Sequence, residues 1–136
     1  MSESNQPIVV LLVDDDYQVT SFMIQVLEKD AAYVILTANS GKTALEIAQA
    51  SPELHVVVTE IELSGEMKGF ELCTRIRQHH PSVKIVLTSA GGVSQAGTYT
   101  DLPVVAKPFL AREFAAVVRD AAGGKTGSAT LSGPAF

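Results

Sequence analysis

Cysteine is nearly absent from the sequence, and this scarcity excludes several kinds of protein. Cys73 is the one cysteine among 136 residues, so neither a disulfide framework nor a zinc site built from several cysteines can form. A reactive thiol needs a basic neighbour or a helix start, and the helical pattern around Cys73 predicts a small core residue instead. The polar start of the chain, which carries Glu3, has no signal-peptide character. We therefore expect a cytoplasmic protein.

Basic residues and long apolar runs are also scarce. Lys and Arg number 10 against 15 Asp and Glu, which gives a net charge of −5. Nucleic-acid-binding domains carry clustered basic residues, so we expect no nucleic-acid partner. No apolar run reaches the ~18 residues of a membrane span. Hydrophobic residues nevertheless make up 46% of the chain, and a chain of this length buries roughly two thirds of its unfolded surface. The composition predicts one folded domain.

Short strand-like runs alternate with helical patterns along the chain. Residues 8–13 are all aliphatic, which is typical of a strand buried on both faces. Similar runs cover 33–38, 55–58, 83–88 and 104–106. Between them lie apolar stripes at helical spacing, and Ser40 stands where it can cap the second helix. Because parallel strands need helical, right-handed connections, the alternation predicts a parallel sheet with helices on both faces.

Both ends of the chain and one internal segment lack this pattern. Residues 123–136 consist mainly of Gly, Ser, Thr and Ala, which cannot bury enough apolar surface to offset the entropy of ordering. We expect a folded domain over 7–122, a flexible start over 1–6 and a flexible tail over 123–136. The glycine-rich segment 90–101 predicts at most a short, weak helix.

Chemically active side chains follow the predicted strands at their carboxyl ends. In chain order they are Asp14, Asp15, Glu60, Glu62, Thr88, Ser89 and Lys107. The carboxyl ends of parallel strands meet at one edge of the sheet, so these side chains should converge there. Clustered carboxylates repel one another, and a hard cation such as Mg²⁺ prefers oxygen ligands. Lysine and hydroxyl groups suit phosphoryl oxygens. The sequence predicts a site for Mg²⁺ and phosphoryl chemistry.

In four stretches, taken in order, the sequence resembles the receiver domains of two-component response regulators. They are Val-Asp-Asp-Asp at 13–16, Glu-Ile-Glu-Leu-Ser-Gly at 60–65, Val-Leu-Thr-Ser-Ala at 86–90 and Ala-Lys-Pro-Phe at 106–109. The resemblance covers roughly 7–122. It implies a flavodoxin-like, doubly wound α/β fold, with five parallel strands in the order 2-1-3-4-5, five helices and three layers.

The same resemblance implies a function in bacterial phosphorelay signalling. We expect a stand-alone receiver without an output domain, which is not an enzyme. Its partner would be a histidine kinase or another signalling protein, with no role for a membrane or nucleic acid. The chain would be a monomer or a weak homodimer.

The resemblance also gives the acidic residues a metal-binding role. Asp14 and Asp15 would hold Mg²⁺ together with the residue at position 60 and the backbone carbonyl of Glu62. We expect Mg²⁺ to bind weakly, because the carboxylate oxygens of Asp14, Asp15 and Glu60 are retained.

A second group of residues would contact a phosphoryl group. By the resemblance, these are Lys107 and a hydroxyl. The hydroxyl would come from Ser89 if the fourth strand ends at Thr88, and from Thr88 otherwise. The peptide bond between Lys107 and Pro108 would be cis.

The sequence differs from the family pattern at one important position: Glu60 stands where the family has its phosphate-accepting Asp. A Glu carboxylate can act as a nucleophile, but its extra methylene moves the carboxylate by roughly 1.5 Å. A misplacement of 1 Å can cost about 10²-fold in rate. Three alternatives follow. Glu60 mimics the phosphorylated state by pairing with Lys107 or Ser89, or it marks a vestigial pocket in a phosphorylation-independent adaptor, or it is weakly phosphorylated.

Other classes of protein with a similar fold remain as alternatives. The first is a small Mg²⁺-dependent phosphotransfer enzyme, although we expect no cap domain for its substrate. The second is a nucleotide-binding flavodoxin-like domain, although the Asp-rich loop after the first strand would repel phosphates unless a cation intervened.

Overall fold

Aliphatic runs and amphipathic stripes alternate in the folded chain as they do in the sequence. The computed structural model describes residues 6–91 and 102–123. The strands are β1 (Ile8–Val13), β2 (Tyr33–Ala38), β3 (Leu54–Glu60), β4 (Lys84–Ser89) and β5 (Val104–Ala106). The helices are α1 (Tyr17–Leu27), α2 (Gly41–Gln49), α3 (Gly69–His79) and α4 (Ala111–Ala121). All the strand pairs are parallel, in the order β2-β1-β3-β4-β5. The predicted flavodoxin-like fold is confirmed.

Apolar side chains cover both faces of the sheet, which is why β1, β3 and β4 read as continuous aliphatic runs. Successive side chains of a strand point to opposite faces. On one face, Val10 and Val58 pack with residues of α1 and α4, including Met23 and Phe114. On the other face, Leu11 packs with residues of α2 and α3. The two apolar clusters give the molecule its three layers.

Side-chain caps define where the first two helices begin. Asp16 precedes α1, and its Oδ1 accepts a hydrogen bond from the Gln18 backbone N–H at 2.9 Å. Ser40 precedes α2, and its Oγ accepts from the Thr43 N–H at 3.2 Å, as the sequence predicted. Each cap satisfies a backbone donor that the helix itself leaves unpaired.

The boundaries differ from the predicted ones at a few positions. Strand β4 runs one residue further than predicted and ends at Ser89. Of the segments expected to be flexible or weakly helical, residues 1–5, 92–101 and 124–136 lie outside the described residues. The predicted domain limits, and the fifth helix implied by the resemblance, therefore stay predictions. No helix in the described part of the chain is long and apolar enough to cross a membrane.

Candidate functional site

A lysine bridges two carboxylates where β1, β3 and β5 end. Asp14 follows β1, Glu60 is the last residue of β3, and Lys107 follows β5. The Lys107 Nζ lies 2.9 Å from Asp14 Oδ2 and 3.0 Å from Glu60 Oε2. The Asp14 side chain is fully buried, and the Glu60 side chain is 12% exposed. Hydrogen bonds of this length to buried carboxylates are charge-assisted and strong.

Asp15 completes a cluster of three carboxylates. One oxygen from each of Asp14, Asp15 and Glu60 lies within 4.8 Å of the others. Asp15 Oδ2 accepts a hydrogen bond from the Ser64 backbone N–H at 3.1 Å. Glu60 Oε1 is buried and has no hydrogen-bond partner among the residues that the structure describes. An all-oxygen donor set with an unsatisfied buried oxygen fits a hard divalent cation such as Mg²⁺.

The two candidate hydroxyls lie on different faces of the sheet. Thr88 is the register partner of Glu60, so both side chains point to the face covered by α1 and α4. Ser89, the next residue, points to the other face, where its Oγ donates to Glu62 Oε2 at 2.6 Å. The Ser89 Oγ also accepts from the Gly91 N–H at 3.0 Å. Of the two partners that the sequence suggested for Glu60, Lys107 is in contact, whereas Ser89 donates to Glu62.

Burial and charge pull the pKa values of these groups in opposite directions. Burial raises the pKa of Glu60 above its ordinary value, although the hydrogen bond from Lys107 works against the increase. Burial by itself would lower the pKa of Lys107, but hydrogen bonds to Asp14 and Glu60 outweigh it and the pKa is raised. Hydrogen bonding from Ser64 lowers the pKa of Asp15. Lys107 is therefore held as a cation.

The loop between β3 and α3 contributes contacts that sequence reasoning missed. Ser64 supplies its backbone N–H to Asp15, and Lys68 donates its Nζ to the Leu63 carbonyl at 2.9 Å. Glu62 was expected to contribute only its backbone carbonyl, but its side chain accepts a hydrogen bond from Ser89. The position of this loop after a strand end was a usable signal, since such loops line the sites of parallel sheets.

An apolar pocket of ≈ 500 Å³ adjoins Lys107 on the outer surface. Its lining includes Val19 and Phe22 of α1 and the Pro108–Phe109 pair that follows Lys107. The peptide bond between Lys107 and Pro108 is cis. The rings of Phe22 and Phe109 are 5.9 Å apart, and Leu110 beside them is 57% exposed. The pocket gives the charged site an apolar border.

Cys73 lies away from the site, on the buried side of α3. Its thiol is free and buried, and burial raises its pKa to about 12. A thiol with that pKa is a weak nucleophile near neutral pH, as expected for a small core residue.

A five-stranded doubly wound sheet with carboxylates and a lysine at its carboxyl edge is the architecture of a signalling receiver domain. The family model for the response regulator receiver domain matches residues 10–119, and the chain belongs to that family. The predicted family is thereby confirmed. Receiver domains are signalling domains of two-component systems, which interact with histidine kinases or phosphotransfer proteins and bind Mg²⁺ at an acidic pocket.

Individual relatives agree with this assignment. The response regulator receiver protein CpdR of Brucella abortus is 31% identical over 109 residues, which cover 77% of this chain and 88% of CpdR. The transcriptional regulatory protein YvrH of Bacillus subtilis is 31% identical over 115 residues, covering 81% of this chain but 47% of YvrH. The chain thus spans about half the length of some curated relatives that it matches.

Solved structures share the fold. The signal receiver domain of an HD domain-containing protein from Pseudomonas fluorescens Pf-5 superposes with a TM-score of 0.74 and 25% sequence identity. The superposition covers 85% of this chain and 94% of the other.

Proposed function

We propose that this chain is a signalling receiver that acts through protein contacts without a phosphorylation cycle of its own. The observation that carries the proposal is the carboxylate of Glu60 at the end of β3, held 3.0 Å from the Lys107 ammonium. By the resemblance, Glu60 occupies the phosphoacceptor position. Glu60 and Asp carboxylates carry the same charge, but the longer Glu60 side chain places its charge further from the backbone, in contact with Lys107.

Two physical arguments favour this function over ordinary phosphorylation. The Glu60 carboxylate lies one methylene further from the backbone than an Asp carboxylate, and misplaced nucleophiles react slowly. Lys107, which would contact a phosphoryl oxygen, contacts a Glu60 oxygen instead. The carboxylate carries one negative charge against the ≈ 1.5–2 of a phosphoryl group, so the mimicry is partial. We infer a constitutive, active-like pocket.

The remaining pocket residues take supporting roles in this proposal. Asp14, Asp15, Glu60 and the backbone carbonyl of Glu62 would hold a weakly bound Mg²⁺, which would supply positive charge to the acidic cluster. Thr88, on the face of the sheet that carries Glu60, would be the hydroxyl nearest to a group at position 60. Ser89 would instead stabilise Glu62.

A protein is the partner that this surface suits best. The apolar pocket between α1 and Phe109, with exposed Leu110 beside it, offers contact area to a histidine kinase or another signalling protein. The net charge of −5 disfavours nucleic acid. We propose a cytoplasmic, non-enzymatic receiver that is monomeric or weakly dimeric.

The substitution Glu60→Asp tests the proposal. Wild-type protein and the variant are incubated with acetyl phosphate and Mg²⁺, and intact mass is measured. We expect no added phosphoryl group on wild type and one on the variant, because Asp restores the shorter carboxylate.

Glu62→Asp is the matched control, since it shortens a neighbouring carboxylate without changing position 60. We expect it to behave as wild type. Phosphorylation of wild type would overturn the proposal. An unreactive Glu60→Asp variant would show that the chemistry is blocked by more than Glu60.

A further inference from the structure

We propose that Lys107 is the resident cation of this pocket, and that a divalent cation binds at the carboxylate cluster only by displacing it. The inference rests on the proposed assignment of Asp14, Asp15 and Glu60 as the metal-binding carboxylates. Beyond that assignment, we infer that Lys107 sets the affinity of the cluster for the metal ion.

Each carboxylate of the cluster already has a hydrogen-bond donor within the chain. Asp14 Oδ1 accepts from the Asp16 N–H at 2.8 Å, and Asp14 Oδ2 accepts from Lys107 at 2.9 Å. Glu60 Oε2 accepts from the same ammonium at 3.0 Å, and Asp15 Oδ2 accepts from the Ser64 N–H at 3.1 Å. Every carboxylate of the cluster thus has at least one internal donor.

A divalent cation at the cluster would meet the Lys107 ammonium at close range. Since Lys107 lies within 3.0 Å of oxygens on two of the three carboxylates, an ion that binds both carboxylates comes close to its charge. Like charges at this distance repel, and the low solvent exposure of Asp14 and Glu60 weakens screening. Mg²⁺ also demands near-ideal octahedral geometry. The ammonium must therefore leave before the ion can bind well.

The length of the Glu60 side chain contributes to this arrangement. One of its oxygens reaches Lys107, while the other is buried without a hydrogen-bond partner in the described part of the chain. A bound cation would stabilise this unpaired oxygen, so the site retains some affinity for Mg²⁺. The competition with Lys107 explains a weak site without requiring the loss of any carboxylate.

Lys107→Met tests the competition by removing the ammonium while keeping an unbranched apolar stem. Mg²⁺ is titrated by calorimetry near pH 8 into wild type and the variant, with no phosphodonor present. Breaking two charge-assisted hydrogen bonds opposes binding only in wild type, so we expect the variant to bind Mg²⁺ at least about tenfold more tightly.

Lys68→Met is the matched control. It removes the same charge from a neighbouring lysine whose Nζ contacts the Leu63 carbonyl and no carboxylate of the cluster. We expect its Mg²⁺ affinity to stay within about twofold of wild type. Equal gains in both variants would show a general charge effect and overturn the proposal, as would a Lys107→Met variant that binds Mg²⁺ no better than wild type.

A measurement on the wild-type protein covers the case in which Lys107→Met does not fold. Lysine side chains are labelled with ¹³C, and the Lys107 resonance is assigned by its absence from a Lys107→Arg spectrum. We expect Mg²⁺ to move this resonance toward the position of exposed lysines. An unchanged Lys107 resonance in a Mg²⁺-saturated protein would overturn the proposal. Because no phosphodonor is used, either result is independent of whether Glu60 can be phosphorylated.

Discussion

Glu60 is a largely buried carboxylate with a cationic partner, and burial and the partner shift its pKa in opposite directions. Burial is the larger influence and raises its pKa, while the hydrogen bond from Lys107 lowers it. A carboxyl whose pKa is higher in the folded than in the unfolded state binds more protons when folded. Its contribution to stability is therefore largest at low pH and falls as the pH rises.

The substitution Glu60→Gln makes this dependence measurable. We expect the unfolding free energy of wild type, relative to the Gln variant, to fall as the pH rises from the unfolded pKa of 4.5 and to level off above the raised folded pKa. Urea denaturation in EDTA at successive pH values gives the comparison. A difference that increases with pH would mean that the attraction of Lys107 outweighs burial.

At the scale of elements, the contact between the start of α3 and the end of β3 positions the site. Gly69 begins α3, and its N–H donates to the Ile61 carbonyl at 3.1 Å. A Cβ added to Gly69 would overlap the Glu60 carbonyl oxygen and lie 2.9 Å from Ile61 Cα. Only glycine lets the helix approach the strand so closely at this point.

Gly69→Ala tests this contact. We expect it to destabilise the domain by about 2 kcal/mol, because neither the strand end nor the helix start can move without disturbing the packing. Chemical denaturation measures the loss, and a shift of the Glu60 amide resonance reports displacement of the site.

Gly41→Ala is the comparison variant at the start of α2. Its added Cβ would meet mainly the side chain and carbonyl of Met67, in the loop before α3, and we expect a smaller loss. A Gly69→Ala variant as stable as wild type would contradict the close approach.

At the scale of the whole molecule, stability depends on two apolar clusters that share one sheet. Phe114 of α4 is fully buried in the cluster on the α1 and α4 face, and its ring stacks on Phe109 at 5.3 Å. Phe109 also borders the pocket beside Lys107. The packing of α4 therefore supports the same segment that carries Lys107.

Phe114→Ala should cost about 3–5 kcal/mol, since it removes a buried ring and leaves a cavity. That loss is a large part of the 5–15 kcal/mol typical of a domain. Urea denaturation checks the value, with Leu110→Ala as a control at a position that is 57% exposed. We expect the control to change stability by about 0.5 kcal/mol or less. Similar losses in both variants would contradict the packing.

Much of the fold was predictable because its signals are local. The aliphatic run 8–13 and the stripe from Val19 to Leu27 follow from strand and helix periodicity, and Ser40 caps α2 as predicted. The end of β4 was predicted one residue short, because local pattern does not separate Thr88 from Ser89. Because β4 extends to Ser89, Thr88 is the hydroxyl residue in register with Glu60.

The sequence by itself determined the family, the order of the elements and the residues that meet at the carboxyl edge. It could do so because strand ends in a parallel sheet converge regardless of side-chain detail. Only the tertiary structure decided the partners: Lys107 with Asp14 and Glu60, Ser64 with Asp15, and Ser89 with Glu62. These pairs join residues far apart in the chain, so distances and strand register, which periodicity does not specify, select them.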